Sequence, residues 1–364
     1  MTGVYISIPF CAQKCTYCNF ASAVLPRSLL GPYLAALEAE ITSADFGDPP
    51  DTVYLGGGTP SGLSPEALGR LLAGVPGRPW REATIEASPG GITAEQARHW
   101  RGLGLNRVSL GAQSFVPREI AATGRKHTPT QVAAEIALLR GEGLDNINVD
   151  LIGGLAHQTA AGWRESLDWI ERLAPPHVSV YMLEVDDDSR LGREITRGGA
   201  RYGARSVPEP DAVADFYLEA VEHLAAMGFE RYEISNFARP GCESVHNRKY
   251  WRLEPYRGFG ADAHSFDGAL RWWNVETAAE YVERFRSGAS PVAATEPADP
   301  GRERFWVGLR QTAGIEPAPA EWRRFAEPVR RLTEDGLMER AGERLRLTPR
   351  GVLLSNLVFQ EFLA

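Results

Sequence analysis

The sequence predicts an α/β fold: about six βα units in an open, parallel partial barrel, followed by a small winged-helix-like α+β unit. Three observations lead there. Short apolar, β-branched runs alternate with amphipathic segments through residue 207, the pattern changes after Pro208, and the C-terminal end reads as helix, helix and hairpin. Strand–helix alternation of the first kind makes successive strands parallel, with the intervening helices packed outside them.

The strand candidates in order are "VYISI" (4–8), "TVYLG" (52–56), "ATIEA" (83–87), "RVSLG" (107–111), "INVDLI" (147–152) and "VSVYML" (178–183). Each has strand length and β-branched or aromatic enrichment. Between them, Ser64-Pro65 places a capping hydroxyl before a proline at the first helical position, while Thr93 with Gln96 and Thr128 with Gln131 fit the capping box. Six units are too few to close an eight-fold barrel, so the sheet is expected to stay open. Beyond Pro208, a helix at 211–227 precedes a Gly- and aromatic-rich stretch, 232–266, that has no clear period and reads as functional surface or lid. The Pro/Ala-rich residues 290–301 read as a boundary. After them come a helical segment, a helix at 322–335 and the hairpin "GLMERAGERLRLTPRG". The expected organisation is a barrel over 1–207, its completion over 208–290, and a C-terminal unit over 300–364, which could act as a lid on the barrel mouth.

A chain of 364 residues can bury a large core. With 43% apolar and 24% charged residues, it has no apolar run long enough to span a membrane. No basic region followed by an apolar stretch and cleavage site opens the chain, which predicts a cytoplasmic location whose reducing conditions keep thiols free for metal. The formal net charge of -8 argues against nucleic acid as a partner, and the Arg-rich section 301–350 is interleaved with Glu, as a solvated mixed-charge face would be.

Three of the four cysteines, Cys11, Cys15 and Cys18, form CxxxCxxC directly after the first strand. Three thiolates on a loop leaving a strand can hold three irons of a cubane cluster and leave the fourth iron open to another ligand. Zinc is the alternative, but a structural zinc site wants four ligands and Cys242 is over two hundred residues away. A disulfide would leave the third thiol unused.

"YISIPFCAQKCTYCNF" resembles the cluster loop of radical S-adenosylmethionine proteins. The ordered blocks "GGGTPS", "EASP", "LGAQSF", "VDLIGGL", "YEISNFARPG", "HNRKYW" and "GADAHSF" are similar to the family of oxygen-independent coproporphyrinogen III oxidase (HemN) and its heme-chaperone branch, HemW. The resemblance implies a TIM-like radical S-adenosylmethionine barrel with a HemN-type C-terminal domain. It implies that Cys11, Cys15 and Cys18 bind a 4Fe-4S cluster whose open iron takes the amino and carboxylate groups of S-adenosylmethionine. Tyr5, read otherwise as a core tyrosine, would face that cofactor; Gly57, Gly58 and Thr59 would bring backbone groups to the methionine ammonium. Glu86, Gln113 and Asp150 would supply polar contacts at the carboxyl ends of strands. Arg125, twelve residues after Gln113, would pair with the cofactor carboxylate through its planar fork. No catalytic residue is assigned.

Two departures from the oxidase favour the chaperone branch. Phe20 stands where the oxidase carries a further cysteine, and this chain starts only four residues before Tyr5, without the oxidase's N-terminal extension. "HNRKYW" also matches the branch's HNxxYW motif, so His246, Asn247, Tyr250 and Trp251 are expected heme contacts, with an imidazole as axial ligand and the aromatics packed on the macrocycle. The alternative there is a structural His-Asn pair among core aromatics, with His264 or Cys242 as the ligand. The expected function is therefore a chaperone that binds heme as cargo and passes it to acceptor hemoproteins, with an electron donor and a homodimer among its partners. The alternatives are radical oxidative decarboxylation of coproporphyrinogen III and nucleic-acid binding through the C-terminal unit.

Overall fold

The computed structural model describes residues 2–363. The six anticipated strands are present and parallel: β1 (Gly3–Ile8), β2 (Thr52–Gly57), β3 (Glu82–Ala87), β4 (Arg107–Gln113), β5 (Asn146–Gly153) and β6 (His177–Met182). Their side chains alternate with the pleat. Val4, Ile6, Val53, Leu55, Ala83, Ile85, Val108, Leu110, Val149 and Val178 point outward and are fully buried under the helices. The inner face is polar: Tyr54, Glu86, Ser109, Asn148, Asp150, His177 and Ser179 hydrogen-bond to one another across the strands. A barrel lined this way is built to hold something polar rather than to pack as a core.

The helix starts follow the sequence signals. Ser64 accepts from the Ala67 N–H, and both Thr93–Gln96 and Thr128–Gln131 form reciprocal capping boxes.

The non-periodic stretch after Pro208 is not a lid. It supplies β7 (Glu230–Arg231) and β8 (Asn236–Ala238), which extend the sheet beyond β6, the short helix Val245–Trp251, and then β9 (Tyr256–Phe259), β10 (His264–Phe266) and β11 (Leu270–Asn274). β9 runs parallel beside β1, and β10 and β11 continue antiparallel. Each strand is too short to show a period of its own. The anticipated boundary at 290–301 carries a further strand, β12 (Val292–Pro297), on the edge beside β11. The whole sheet has twelve strands in the order β12-β11-β10-β9-β1-β2-β3-β4-β5-β6-β8-β7.

The C-terminal unit runs from the helix Pro300–Trp306 through two short helices, Pro319–Arg324 and Ala326–Glu334, broken at Phe325 where one helix was expected, to the hairpin β13 (Met338–Ala341) and β14 (Arg344–Leu347) and two further short helices, Pro349–Leu353 and Ser355–Gln360. Phe305, Phe325 and Phe362 make its centre. Its opening segment crosses the open side of the barrel. Glu303 pairs with Arg271 of β11, and Arg310 pairs with Glu233 beside β8 at 3.5 Å while lying over the Trp251 ring at 4.6 Å. Through Glu303 and Arg310 that segment spans the flank between the two ends of the sheet, and Asn356, in the unit's last helix, donates to Glu184, just past the carboxyl end of β6, at 3.4 Å.

Candidate functional site

The carboxyl ends of β1–β6 form the mouth, and the cysteine loop leaves β1 directly into it. The loop is pinned on two sides by backbone bonds: Gly58 N–H to Ile8 O at 2.8 Å and Thr59 N–H to Phe10 O at 2.9 Å on the β2 side, and Thr16 N–H to Thr123 O at 3.1 Å on the β4 side. Gly58 is required for this closeness, since a Cβ there would lie 2.6 Å from Phe10 O and 2.8 Å from Ile8 O. Lys14 ties the loop to itself, donating to the carbonyls of Phe20 and Ser22.

Cys11, Cys15 and Cys18 are free and half-buried. Burial pushes the Cys11 thiol up, the hydroxyls of Ser22 and Thr59 pull it back, and the other two thiols lie within electrostatic reach. Three thiols on one loop suit a cubane in which each holds a separate iron and the fourth iron stays open.

Beside the thiols sits Arg125. Its guanidinium donates to Gly111 O at 2.8 Å and Ser88 Oγ at 3.4 Å and contacts Tyr17 and Cys15, and its Nε is buried without a partner. Burial disfavours the charge, but Tyr17 and Cys15 outweigh it and the guanidinium stays protonated. A buried donor left open in this way can serve an incoming carboxylate. Gln113 reaches the same corner from the end of β4 with φ 70, at a register shift in the β4–β5 pairing.

Deeper in the barrel, Tyr54 donates to Glu86 Oε1 at 3.0 Å and the Gly57 N–H donates to Oε2 at 3.2 Å. Burial raises the Glu86 carboxyl to about 7, opposed by the Tyr54 bond and assisted by Asp150. Asp150 accepts from Asn148 at 2.7 Å and is likewise raised by burial. Tyr5 stacks on Tyr54 with centroids 6.1 Å apart, facing the interior. Of the expected cofactor residues, Gly58 and Thr59 bond the cysteine loop, Arg125 and Gln113 meet over Gly111 beside Cys15, and Tyr5, Glu86 and Asp150 lie on the inner face of the strands, with the Gly57 N–H on Glu86. Sequence reasoning missed Tyr54, Tyr17 and Ser88. Tyr54 was findable, since it alternates with Val53 and Leu55 in the strand candidate TVYLG; Tyr17 lies inside the cysteine motif and carries no signal of its own.

The HNRKYW segment is elsewhere. The helix Val245–Trp251 plugs the opposite end of the barrel, where Glu82 at the start of β3 accepts from Ser244 Oγ (2.9 Å), Val245 N–H (2.8 Å) and His246 N–H (3.0 Å). His246 is 1% exposed, its Nδ1 bonded to Thr52 Oγ1 at 2.9 Å and its Nε2 to Tyr250 OH at 2.8 Å. Burial pulls its pKa down to about 3. With both nitrogens engaged, this imidazole offers no lone pair to iron, so axial ligation by His246 does not fit the arrangement. Tyr250 packs edge-on against Tyr256 at 4.6 Å, and the Trp251 carbonyl accepts from Gln311. Cys242 lies on the same floor, just past the lower end of β8.

Residues 5–170 match the Radical SAM superfamily and residues 296–354 the HemN C-terminal domain. The heme chaperone HemW of Bacillus subtilis is 33% identical over 386 aligned positions, covering 100% of this chain and 99% of that protein. HemW of Mycobacterium tuberculosis is 37% identical, covering 99% and 94%. The solved structure of coproporphyrinogen III oxidase (HemN) from Escherichia coli superposes with a TM-score of 0.83 at 23% identity over 99% of this chain and 89% of that one, which shows a shared fold. No helix among the described residues is long and apolar enough to cross a membrane. Identity of 33–37% with these heme chaperones over 99–100% of its length, together with the two family matches, places the chain in the radical S-adenosylmethionine superfamily and, within it, in the HemW heme-chaperone family.

Proposed function

We propose that this protein binds heme and passes it to acceptor hemoproteins in the cytoplasm, carrying a 4Fe-4S cluster on Cys11, Cys15 and Cys18. S-adenosylmethionine would lie against Gly57, Gly58 and Thr59, with its carboxylate on Arg125 and its polar groups facing Glu86, Gln113 and Asp150. When bound, the cluster and this cofactor supply one-electron chemistry, fed by an external electron donor. Residues 1–207 hold the cofactors, 208–290 complete the barrel and 300–364 brace its open flank.

The observation that carries the chaperone reading is on the cysteine loop itself. Phe20, standing where the oxidase has a further cysteine, is 68% exposed, and Val24 nearby is 60% exposed. Two bare apolar side chains at the rim of a polar barrel fit a flat apolar cargo or the protein that receives it.

The test is anaerobic reconstitution followed by two assays. Hemin-loaded protein should activate an apo-hemoprotein in a S-adenosylmethionine- and reductant-supplied mixture, while incubation with coproporphyrinogen III should yield no protoporphyrinogen IX. Robust turnover of coproporphyrinogen III would overturn the proposal. Cys11→Ala, Cys15→Ala and Cys18→Ala should each lose the cluster's visible absorbance and bound iron, whereas Cys242→Ala should keep both.

A further inference from the structure

The row of residues that crosses the inner face of the sheet at the level of Tyr5 continues beyond the barrel proper. Tyr54 of β2 pairs with Tyr5 of β1, Tyr5 pairs with Gly258 of β9, and His264 of β10 pairs with Trp273 of β11. Phe266 is opposite Tyr256, so His264, two residues on, shares the face that carries Tyr5. Gly258 permits the junction: a Cβ there would stand 2.3 Å from the His264 carbonyl and 3.0 Å from the Ala263 Cβ. An inner-face line of Tyr54, Tyr5, His264 and Trp273 results, broken by one glycine.

His264 differs from the chain's other six histidines. It is the exposed one among the described residues. His177 and His246 have both nitrogens bonded, His99 bonds the Pro65 carbonyl, and His127 is buried. His157 has its Nε2 3.2 Å from where a Gly203 Cβ would stand, inside a small cavity beside the cysteine loop, and His223 lies on the outer helix Pro210–Ala226. Neither ring nitrogen of His264 has a hydrogen-bond partner among the described residues; the ring stacks on Trp273 with centroids 5.6 Å apart and planes 20° apart. Trp273 is half-buried, so the stack presents an aromatic wall with an open nitrogen on it.

The position is also the right end of the molecule. His264 opens β10 where the chain has just turned back from the top of β9, with Asp262 at φ 56 in the turn. Asp262 lies within electrostatic reach of both Tyr5 and His264, which ties the turn to the barrel interior. The alternatives His246 and Cys242 belong to the floor.

We infer that His264 is the axial ligand to heme iron, with Trp273 as the wall against which the macrocycle is held, at the start of β10, two strands from Tyr5 on the same face. The inference rests on the chaperone reading above and names its ligand. Neutral imidazole is the ligating form. Partial burial holds His264 below its ordinary pKa, against the pull of Asp262, so the neutral form prevails at pH 7. Heme seated here would lie on the same end of the barrel as the cysteine loop and its exposed Phe20.

The experiment is a hemin titration of the full chain, read by Soret absorbance and by electron paramagnetic resonance of the ferric form. The unaltered chain and His157→Ala should bind with the same affinity and an imidazole-type spectrum. His264→Ala should weaken binding at least tenfold and lose that spectrum, with recovery on adding free imidazole. His264→Cys should convert the spectrum to a thiolate type, a change no structural defect produces. Trp273→Ala should weaken binding while keeping the imidazole spectrum. Absence of saturable binding by the unaltered chain would overturn the chaperone reading and the ligand with it. Saturable binding that His264→Ala and His264→Cys leave unchanged would overturn the ligand alone.

Discussion

The hydroxyl of Tyr54 donates to Glu86 Oε1 at 3.0 Å, and through that carboxylate the middle of β2 is joined to the backbone N–H of Gly57 at its end. The bond matters because Glu86, half-buried on the inner face, stands at about 7, so its charge state changes in the physiological range. A proton on Glu86 favours the folded state. The stabilisation is full below the ordinary carboxyl range near 4.5 and is lost as pH rises through about 7.

Glu86→Gln removes that titration. The stability difference between the unaltered protein and the variant, measured by urea unfolding, should move by about 3 kcal/mol in the variant's favour between pH 4.5 and pH 8. S-adenosylmethionine affinity should fall in the same variant. A difference independent of pH would show that Glu86 does not titrate there.

Arg125→Lys keeps the charge but loses the planar fork that also reaches Gly111 O and Ser88 Oγ. Equilibrium dialysis of the reconstituted protein should show S-adenosylmethionine bound at least tenfold more weakly, a loss of about 1.4 kcal/mol, with cluster iron unchanged. Unchanged affinity would remove Arg125 from the carboxylate site.

Gly58→Ala places a methyl against two backbone carbonyls that cannot give way, 2.6 Å from Phe10 O and 2.8 Å from Ile8 O. The cysteine loop must then part from β2. Thermal unfolding should show a loss of about 1–3 kcal/mol, and reconstitution should recover less iron than in the parent. Full iron loading would mean that the loop's position does not govern cluster assembly.

Glu82→Ala leaves three buried donors of the floor helix, Ser244 Oγ, Val245 N–H and His246 N–H, without their acceptor. Loss of about 3–5 kcal/mol is expected in urea unfolding. Glu82→Gln, which retains one acceptor oxygen, should recover part of it. Equal stability of Glu82→Ala and the parent would show that the floor helix is held by its apolar contacts.

Much of this was legible in the chain because it is local. Six parallel strands follow from alternation along each run, the helix starts from capping residues three apart, and the thiol triad from spacing within one loop. The region after Pro208 was not legible. Its strands are as short as two or three residues, and what orders them is pairing with β6 and β1, partners far away in the chain. Residues 290–301 misled for the opposite reason, since an edge strand exposed on most of its length looks like linker. The tail misled in a third way: its own pattern says helix and hairpin, but nothing local says that Glu303 and Arg310 will reach opposite flanks of the sheet.

By itself the sequence determined the chemistry available: three thiols after a strand, a glycine-rich turn, an arginine and carboxylates at strand ends, and two histidine motifs. Only the tertiary structure decided which of these meet. The pairing register of the sheet puts Tyr5, Tyr54 and His264 on one inner face, and the Glu82 cap sends His246 to the floor with both nitrogens occupied. A histidine's availability to iron depends on its hydrogen-bond partners, and those partners lie on strands and helices that residue spacing does not bring together.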